Sequence, residues 1–291
     1  MQGNAAAILS SIFFTCLVLH PAYALSFNDY ESASFLAKIP EVKVETELIA
    51  THPGDKNAIS YYVNLLNRYW TPTDTKNLNE RNPQLASEIA ATINDTIAQS
   101  EAGNGDRAYS DFFTIAGDME QAGLVRVDPI QTGNSTIQVM SFAMVLRESL
   151  ERYGDAIGSS QLSNLSSMNT NNIQSGVTST GTQIVNEYAY DNSKELAKEA
   201  NIIYEQLVTH AGDKQVYNDK IGYFMTKYIS DLDSKADPNT LISDVYAGMY
   251  PNFVEGYKMN PESVPEFPFP SVMIAVMMFA VVAARFGLKK I

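Results

Sequence analysis

Apolar residues recur along this chain at intervals of three and four, and that spacing limits the fold more than any other feature. Leu85, Ile89, Ile93 and Ile97 step by four. Leu196, Ala200, Ile203 and Leu207 follow an i, i+4, i+7, i+11 pattern, and Ile221, Met225, Tyr228 and Leu232 repeat the style. Such spacing puts one apolar stripe on a helix, whereas a half-buried strand needs strict alternation. Alternation is brief here, at Leu124–Val127 and Ser135–Met140. The pattern predicts an all-α body, with helices near 30–51, 55–70, 83–101, 109–122, 137–157, 184–209, 213–232 and 239–250.

Charge and residue usage exclude several classes. The net charge of −13 over 291 residues would repel nucleic-acid phosphates. It suits a saline exterior or the attraction of cations. The single cysteine, Cys16, lies in an N-terminal apolar run, so the body lacks disulfides, thiol nucleophiles and thiolate metal sites. Its two histidines, His52 and His210, rule out a His-rich centre. No P-loop, G-x-G-x-x-G, H-E-x-x-H, C-x-x-C-H or G-x-S-x-G is present, so the chain reads as non-enzymatic.

The two ends read as export and attachment. Residues 5–19 are apolar and Ala22-Tyr23-Ala24 is an A-x-A pattern, which predicts a signal peptide over residues 1–24. Val272–Ala284 contains no polar residue and is followed by Arg285, Lys289 and Lys290. This predicts a transmembrane anchor with a basic tail over 271–291, the tail inside and the acidic body outside. Pro265-Glu266-Phe267-Pro268, then an apolar helix, then basic residues resembles the archaeal PEF-type C-terminal sorting signal. That resemblance covers the last 27 or so residues. It implies an archaeal exported protein, processed by an archaeosortase near the motif and retained at the cell surface. Asn94, Asn134 and Asn164 begin N-x-S/T sequons, consistent with an exterior glycoprotein.

Between the ends, the sequence nearly repeats itself. Residues 51–56 read THPGDK and residues 209–214 read THAGDK. Asn28-Asp29-Tyr30 precedes the first hexapeptide as Asn186-Glu187-Tyr188 precedes the second, and Asp74-Thr75-Lys76 is echoed by Asp233-Ser234-Lys235. Asn82-Pro83 and Asp237-Pro238 each place a capping residue before a proline at the first helical position. The order predicts a pseudo-duplicated helical bundle with halves 25–157 and 184–256. A polar Ser/Thr/Asn linker over 158–183 joins them, and a proline-rich linker over 257–270 leads to the anchor.

In each hexapeptide Gly54 or Gly212 suits a helix stop, and Asp55 or Asp213 suits the cap of the next helix. That turn reading leaves the histidines unexplained. A functional reading pairs His52, Asp55, His210 and Asp213 across the duplication axis as ligands for iron or another divalent metal.

Arg147-Glu148-Ser149-Leu150-Glu151 resembles the R-E-x-x-E element of iron permeases, yet in this setting it reads as a solvated charged face. Residues 181–207 resemble the helical extracytoplasmic domains in front of those permeases. That resemblance implies metal acquisition, with Glu187, Tyr190, Asp191 and Glu195 in its acidic and aromatic positions. The series Asp231, Asp233, Lys235, Asp237 lacks the glycine and terminal glutamate of a calcium loop. Tyr61, Tyr62, Tyr69 and Trp70 are candidates to line a groove. The leading expectation is a membrane-anchored binding or structural module; the alternative is a component that captures iron for a permease.

Overall fold

A computed structural model describes residues 28–167, 183–209 and 212–259. The expected signal peptide (1–24), His210, the expected sorting motif (265–268) and the expected anchor (271–291) lie outside the described residues. Among the described residues there is no strand, and no helix is long and apolar enough to cross a membrane.

The helices are α1 (Asp29–Thr51), α2 (Lys56–Tyr69), α3 (Pro72–Asn79), α4 (Pro83–Glu101), α5 (Gly105–Arg126), α6 (Pro129–Thr132) and α7 (Ser135–Ala156), then α8 (Glu187–Val208), α9 (Gln215–Asp233), α10 (Pro238–Ile242) and α11 (Tyr250–Tyr257). A π-helical segment, Ser243–Met249, joins α10 to α11. Their starts follow local chemistry. Asn28 and Glu31 form a capping box for α1, and Thr71 and Asp74 form one for α3. Asn82 and Asp237 cap α4 and α10 ahead of Pro83 and Pro238. Leu124–Arg126 and Ser135–Met140, with their brief alternation, are helical. There the flanking helical period overrode four to six residues of strand-like pattern. The polar stretch after Trp70 forms α3, because its capping box stabilises a first turn that has little apolar periodicity to announce it.

Helix α7 is the axis of the bundle. Nearly every residue from Ile137 to Ala156 is buried. It packs against α1 and α8 along its length, and against α6, the π segment's neighbours and α11 at its flanks. α1 runs parallel to α7: Ser32 Oγ donates to Gln131 Oε1 (2.7 Å) just before α7 begins. α8 runs antiparallel, because the Ala156 carbonyl at the end of α7 accepts from Val185 and Asn186 N–H at the start of α8. The start of α7 is called the lower end below, and its finish the upper end. One apolar cluster contains buried side chains from every helix but α6, so residues 28–157 and 184–257 share a core. The chain's single tryptophan, Trp70, packs at a seam of this core, 6.3 Å from the Phe35 ring, over which Arg126 stacks.

Not all of the expected 158–183 linker lies outside the packed body. Leu162–Ser167 forms a 3₁₀ helix against α7, with Leu162 and Leu165 fully buried. Two leucines three apart in a polar stretch are too short a pattern to give a readable period. The approach is close enough to need glycine: a Cβ on Gly154 would sit 2.5 Å from Ser163 N. Gly154→Ala is therefore expected to cost about 1–3 kcal/mol by overpacking. Gly117→Ala, on an exposed helical site whose Cβ meets nothing within 4 Å, should stabilise by roughly 0.5–1 kcal/mol. Urea midpoints of the two variants check this contrast.

Candidate functional site

The charged run of α7 is buried, which corrects the solvated-face reading. Arg147, Glu148, Glu151 and Arg152 are each 9% exposed or less. The sequence misleads here because a charged stretch normally marks a wet face; α7 has no wet face. Opposite this run, α1 presents Glu41 and Glu45, one turn apart and also buried. Four buried glutamates thus face two buried arginines. Pro40 sits inside α1 directly before Glu41, so the Leu36 carbonyl lacks its usual helical donor.

The contacts are specific. Arg152 Nε lies 3.0 Å from Glu148 Oε1, and its Nη1 donates to Asp155 Oδ2 (2.6 Å). Arg147 Nε lies 3.7 Å from Glu151 Oε1. Tyr69 Oη donates to Glu148 Oε1 (2.6 Å), and Asn192 Nδ2 of α8 donates to Glu45 Oε1 (2.7 Å). Glu45 Oε2 and Asn192 Oδ1 are buried and accept no hydrogen bond.

Electrostatics follow from burial. Desolvation, then the neighbouring Glu148 charge, pushes Glu41 well above the usual carboxylate range. Desolvation pushes Glu45 up as well, against the opposing hydrogen bond from Asn192. Burial, the largest single effect, weakens the Arg152 guanidinium's hold on its proton, but Glu148 together with Tyr69, Asp155 and Tyr61 outweighs it and the pKa rises. Burial followed by Glu148 raises Tyr69. Tyr61, raised by burial to about 12, closes the same wall. Tyr61, Tyr62 and Tyr69 are thus seam and cluster residues, not the walls of an open groove.

The first hexapeptide and the described residues of the second, Thr209 and Gly212–Lys214, lie at opposite ends. Gly54 and Gly212 both have positive φ, at 81° and 51°. Asp55 caps α2 by accepting from Asn57 and Ala58 N–H; the latter bond, more than any other cause, lowers its pKa. His52 closes α1, with Nδ1 2.8 Å from the Leu48 carbonyl that the helix leaves unpaired. Both threonines bond back to their own helix, Thr51 Oγ1 to Glu47 O (3.0 Å) and Thr209 Oγ1 to Gln206 O (2.7 Å). The second copy departs from the expected cap: Gly212–Lys214 is a 3₁₀ turn, and Lys214, without a side-chain cap bond, precedes α9.

The Tyr188 hydroxyl donates to Asp55 Oδ2 (3.1 Å), and its ring is 6.4 Å from His52. The first turn therefore meets the upper start of α8. Asp213 follows the other end of α8, and Lys214 Nζ donates to Ser135 Oγ (2.6 Å) at the lower end. Helix α8, 22 residues long and on the order of 30 Å, separates them. Asp55 and His52 are not brought together with Asp213, and the shared four-ligand centre is not assembled. Among the described residues no three His, Cys, Asp or Glu side chains are arranged to hold a metal.

No family model matches the chain, and no match is found among curated proteins or solved structures.

Other candidates scatter. Tyr190 Oη donates to the Leu232 carbonyl (3.0 Å), Glu195 pairs with Lys198 (2.6 Å), Glu187 is exposed and Asp191 is half-buried. Asn94 and Asn134 are exposed on α4 and at the cap of α7, and Asn164 falls in the 3₁₀ helix. Sequence reading missed Glu41, Glu45, Tyr69 and Asn192 as partners of the α7 charges. One signal was available: two glutamates four apart on an otherwise apolar helix flank. It also missed Asp244, buried on the π segment and held by Lys227 (2.9 Å). Desolvation pushes its carboxyl up to about 6, against Lys227.

Two outcomes test the cluster. Tyr69→Phe should destabilise by roughly 1–3 kcal/mol by stripping a donor from a buried carboxylate, read from urea midpoints. Glu41 and Glu45 keep their protons in the folded state above their ordinary value of 4.5. Their contribution to stability is full below that value and is lost as pH rises through the folded pKa. The stability of Glu41→Gln/Glu45→Gln should accordingly fall less than that of the wild type as pH rises above the ordinary value of 4.5.

Proposed function

We propose that the chain is an exported surface protein, held to the membrane by residues 271–291, whose helical body is a non-enzymatic binding module. The single observation behind the binding role is the buried carboxylate–arginine cluster between α1 and α7. Burying ions costs several kcal/mol each even after relaxation, and apolar side chains of similar volume would stabilise a core better. Folds depart from local consistency chiefly where function requires it. The body is read as a duplication: α1–α2 and α8–α9 are helical pairs separated by near-identical hexapeptides, each pair opened by an Asn cap, at Asn28 and Asn186.

A second reading, capture of iron or a similar divalent cation for a permease, is favoured by one detail. Glu45 Oε2 and Asn192 Oδ1 are two oxygen acceptors in a buried site with two more carboxylates than guanidiniums. Oxygen donors with net negative charge suit hard cations. A cation would replace the protons on Glu41 and Glu45, and Arg147, Arg152 and Tyr69 would hold the remaining carboxylates in place.

Thermal melts of the chelator-treated full chain with Fe, Mn, Zn or Cu ions test the cation reading. A ligand at about 100 times its Kd stabilises by ~2.7 kcal/mol. The expected result is a raised midpoint in wild type that is absent in Glu45→Gln and retained in His52→Ala. No shift with any of these ions in wild type removes the cation reading. A shift lost in His52→Ala but kept in Glu45→Gln moves the site away from the cluster.

A further inference from the structure

Both chain ends of the described body emerge at the lower end of the bundle. Asn28 caps α1 beside the α6–α7 turn, where Ser32 bonds Gln131. At the other terminus, the Tyr257 carbonyl accepts from Thr136 Oγ1 (2.8 Å) in the first turn of α7, and Met259 is 1% exposed. The chain then continues from Asn260 to the apolar stretch that begins at Val272. Twelve or so residues reach at most ~40 Å when fully extended, so the lower end is the part of the body held nearest any anchor.

That same end displays large apolar side chains with no packing role. Ile130 is 84% exposed, Leu124 69% and Val216 65%. Ile130 rides on α6, a single turn whose shape is already set by the Asp128 cap and by Pro129 at its first position. Leu124 lies in the last turn of α5, and Val216 in the first turn of α9. Each protrudes from a connection at the lower end. Single exposed apolar residues are ordinary; three around the exit point of a membrane-directed segment are a surface suited to an interfacial layer. Lys214 and Lys258 lie on the same rim, Lys214 4.4 Å from the Tyr257 ring and Lys258 exposed just past α11. The exposed Lys258 stem can reach headgroup phosphates, while Lys214 Nζ is held by Ser135 and the Tyr257 ring.

We infer that the lower end of the bundle lies against the lipid bilayer, with Leu124, Ile130 and Val216 set into the interface and the THPGDK turn directed away from it. The inference rests on reading residues 271–291 as a membrane anchor. It fixes the body's orientation: α7 and α8 stand up from the membrane, and His52, Asp55 and Val185 are at the outer end.

Depth measurements on the full chain test it. Ile130→Cys, Val216→Cys and, as an upper-end control, Val185→Cys (67% exposed) are made with Cys16→Ser. Each carries an environment-sensitive fluorophore and is reconstituted into phosphatidylcholine vesicles containing headgroup-proximal quencher lipid. Labels at 130 and 216 are expected to shift to shorter wavelength and to be quenched several-fold more than the label at 185. Flotation of the vesicles separates the two claims. A chain that floats with the vesicles while all three labels behave alike overturns the docking and leaves the anchor. A chain that does not float overturns the anchor reading, and this inference with it.

Discussion

A charged helix with no wet face is the constraint on which the rest of this protein depends. α7 is surrounded by its neighbours, yet five of its residues, Arg147, Glu148, Glu151, Arg152 and Asp155, carry charge in water. Each charge must find a partner or a proton inside the bundle. Arg152 meets this need through Glu148 and Asp155, Arg147 through Glu151, and Tyr69 and Asn192 fill further hydrogen-bond positions from α2 and α8. Those partners come from segments far apart in sequence. The cluster therefore forms only when α1, α2, α7 and α8 are all in place, and it couples their positions.

Glu41 and Glu45 have no arginine partner in this pairing, and burial raises the pKa of both. A bundle built for stability alone would place leucine or methionine there. The Pro40 interruption beside them weakens α1 where its side chains meet the charges. The arginine–glutamate pairs fix the frame around these two carboxyls.

Periodic apolar spacing predicted most of the helices, since the stripes on α4, α8 and α9 are long and regular. The cap pairs Asn82-Pro83 and Asp237-Pro238 marked their helices to the residue. α3 was hidden because a capping box and one buried leucine, Leu78, suffice to hold a helix of two turns. The 3₁₀ helix was hidden inside a polar stretch because Leu162 and Leu165 belong to no longer pattern. The candidate site was less legible. A repeated hexapeptide draws attention by identity, yet its threonine, histidine, glycine and aspartate each serve a helix end in the first copy. The α7 charges were visible as letters, but whether they face water depends on what surrounds α7, and no local window contains that information.

Trp70 offers a spectroscopic consequence. As the sole indole in the chain, excited beyond the absorption of the 16 tyrosines, it confines ultraviolet emission to one seam, where its ring meets Phe35 and its Nε1 is buried without a hydrogen-bond partner. Emission from this protein is thus a local signal from the junction of α1 and α2 and not an average over the bundle. Comparing it with far-ultraviolet ellipticity during denaturation separates loosening of that seam from melting of the helices as a whole.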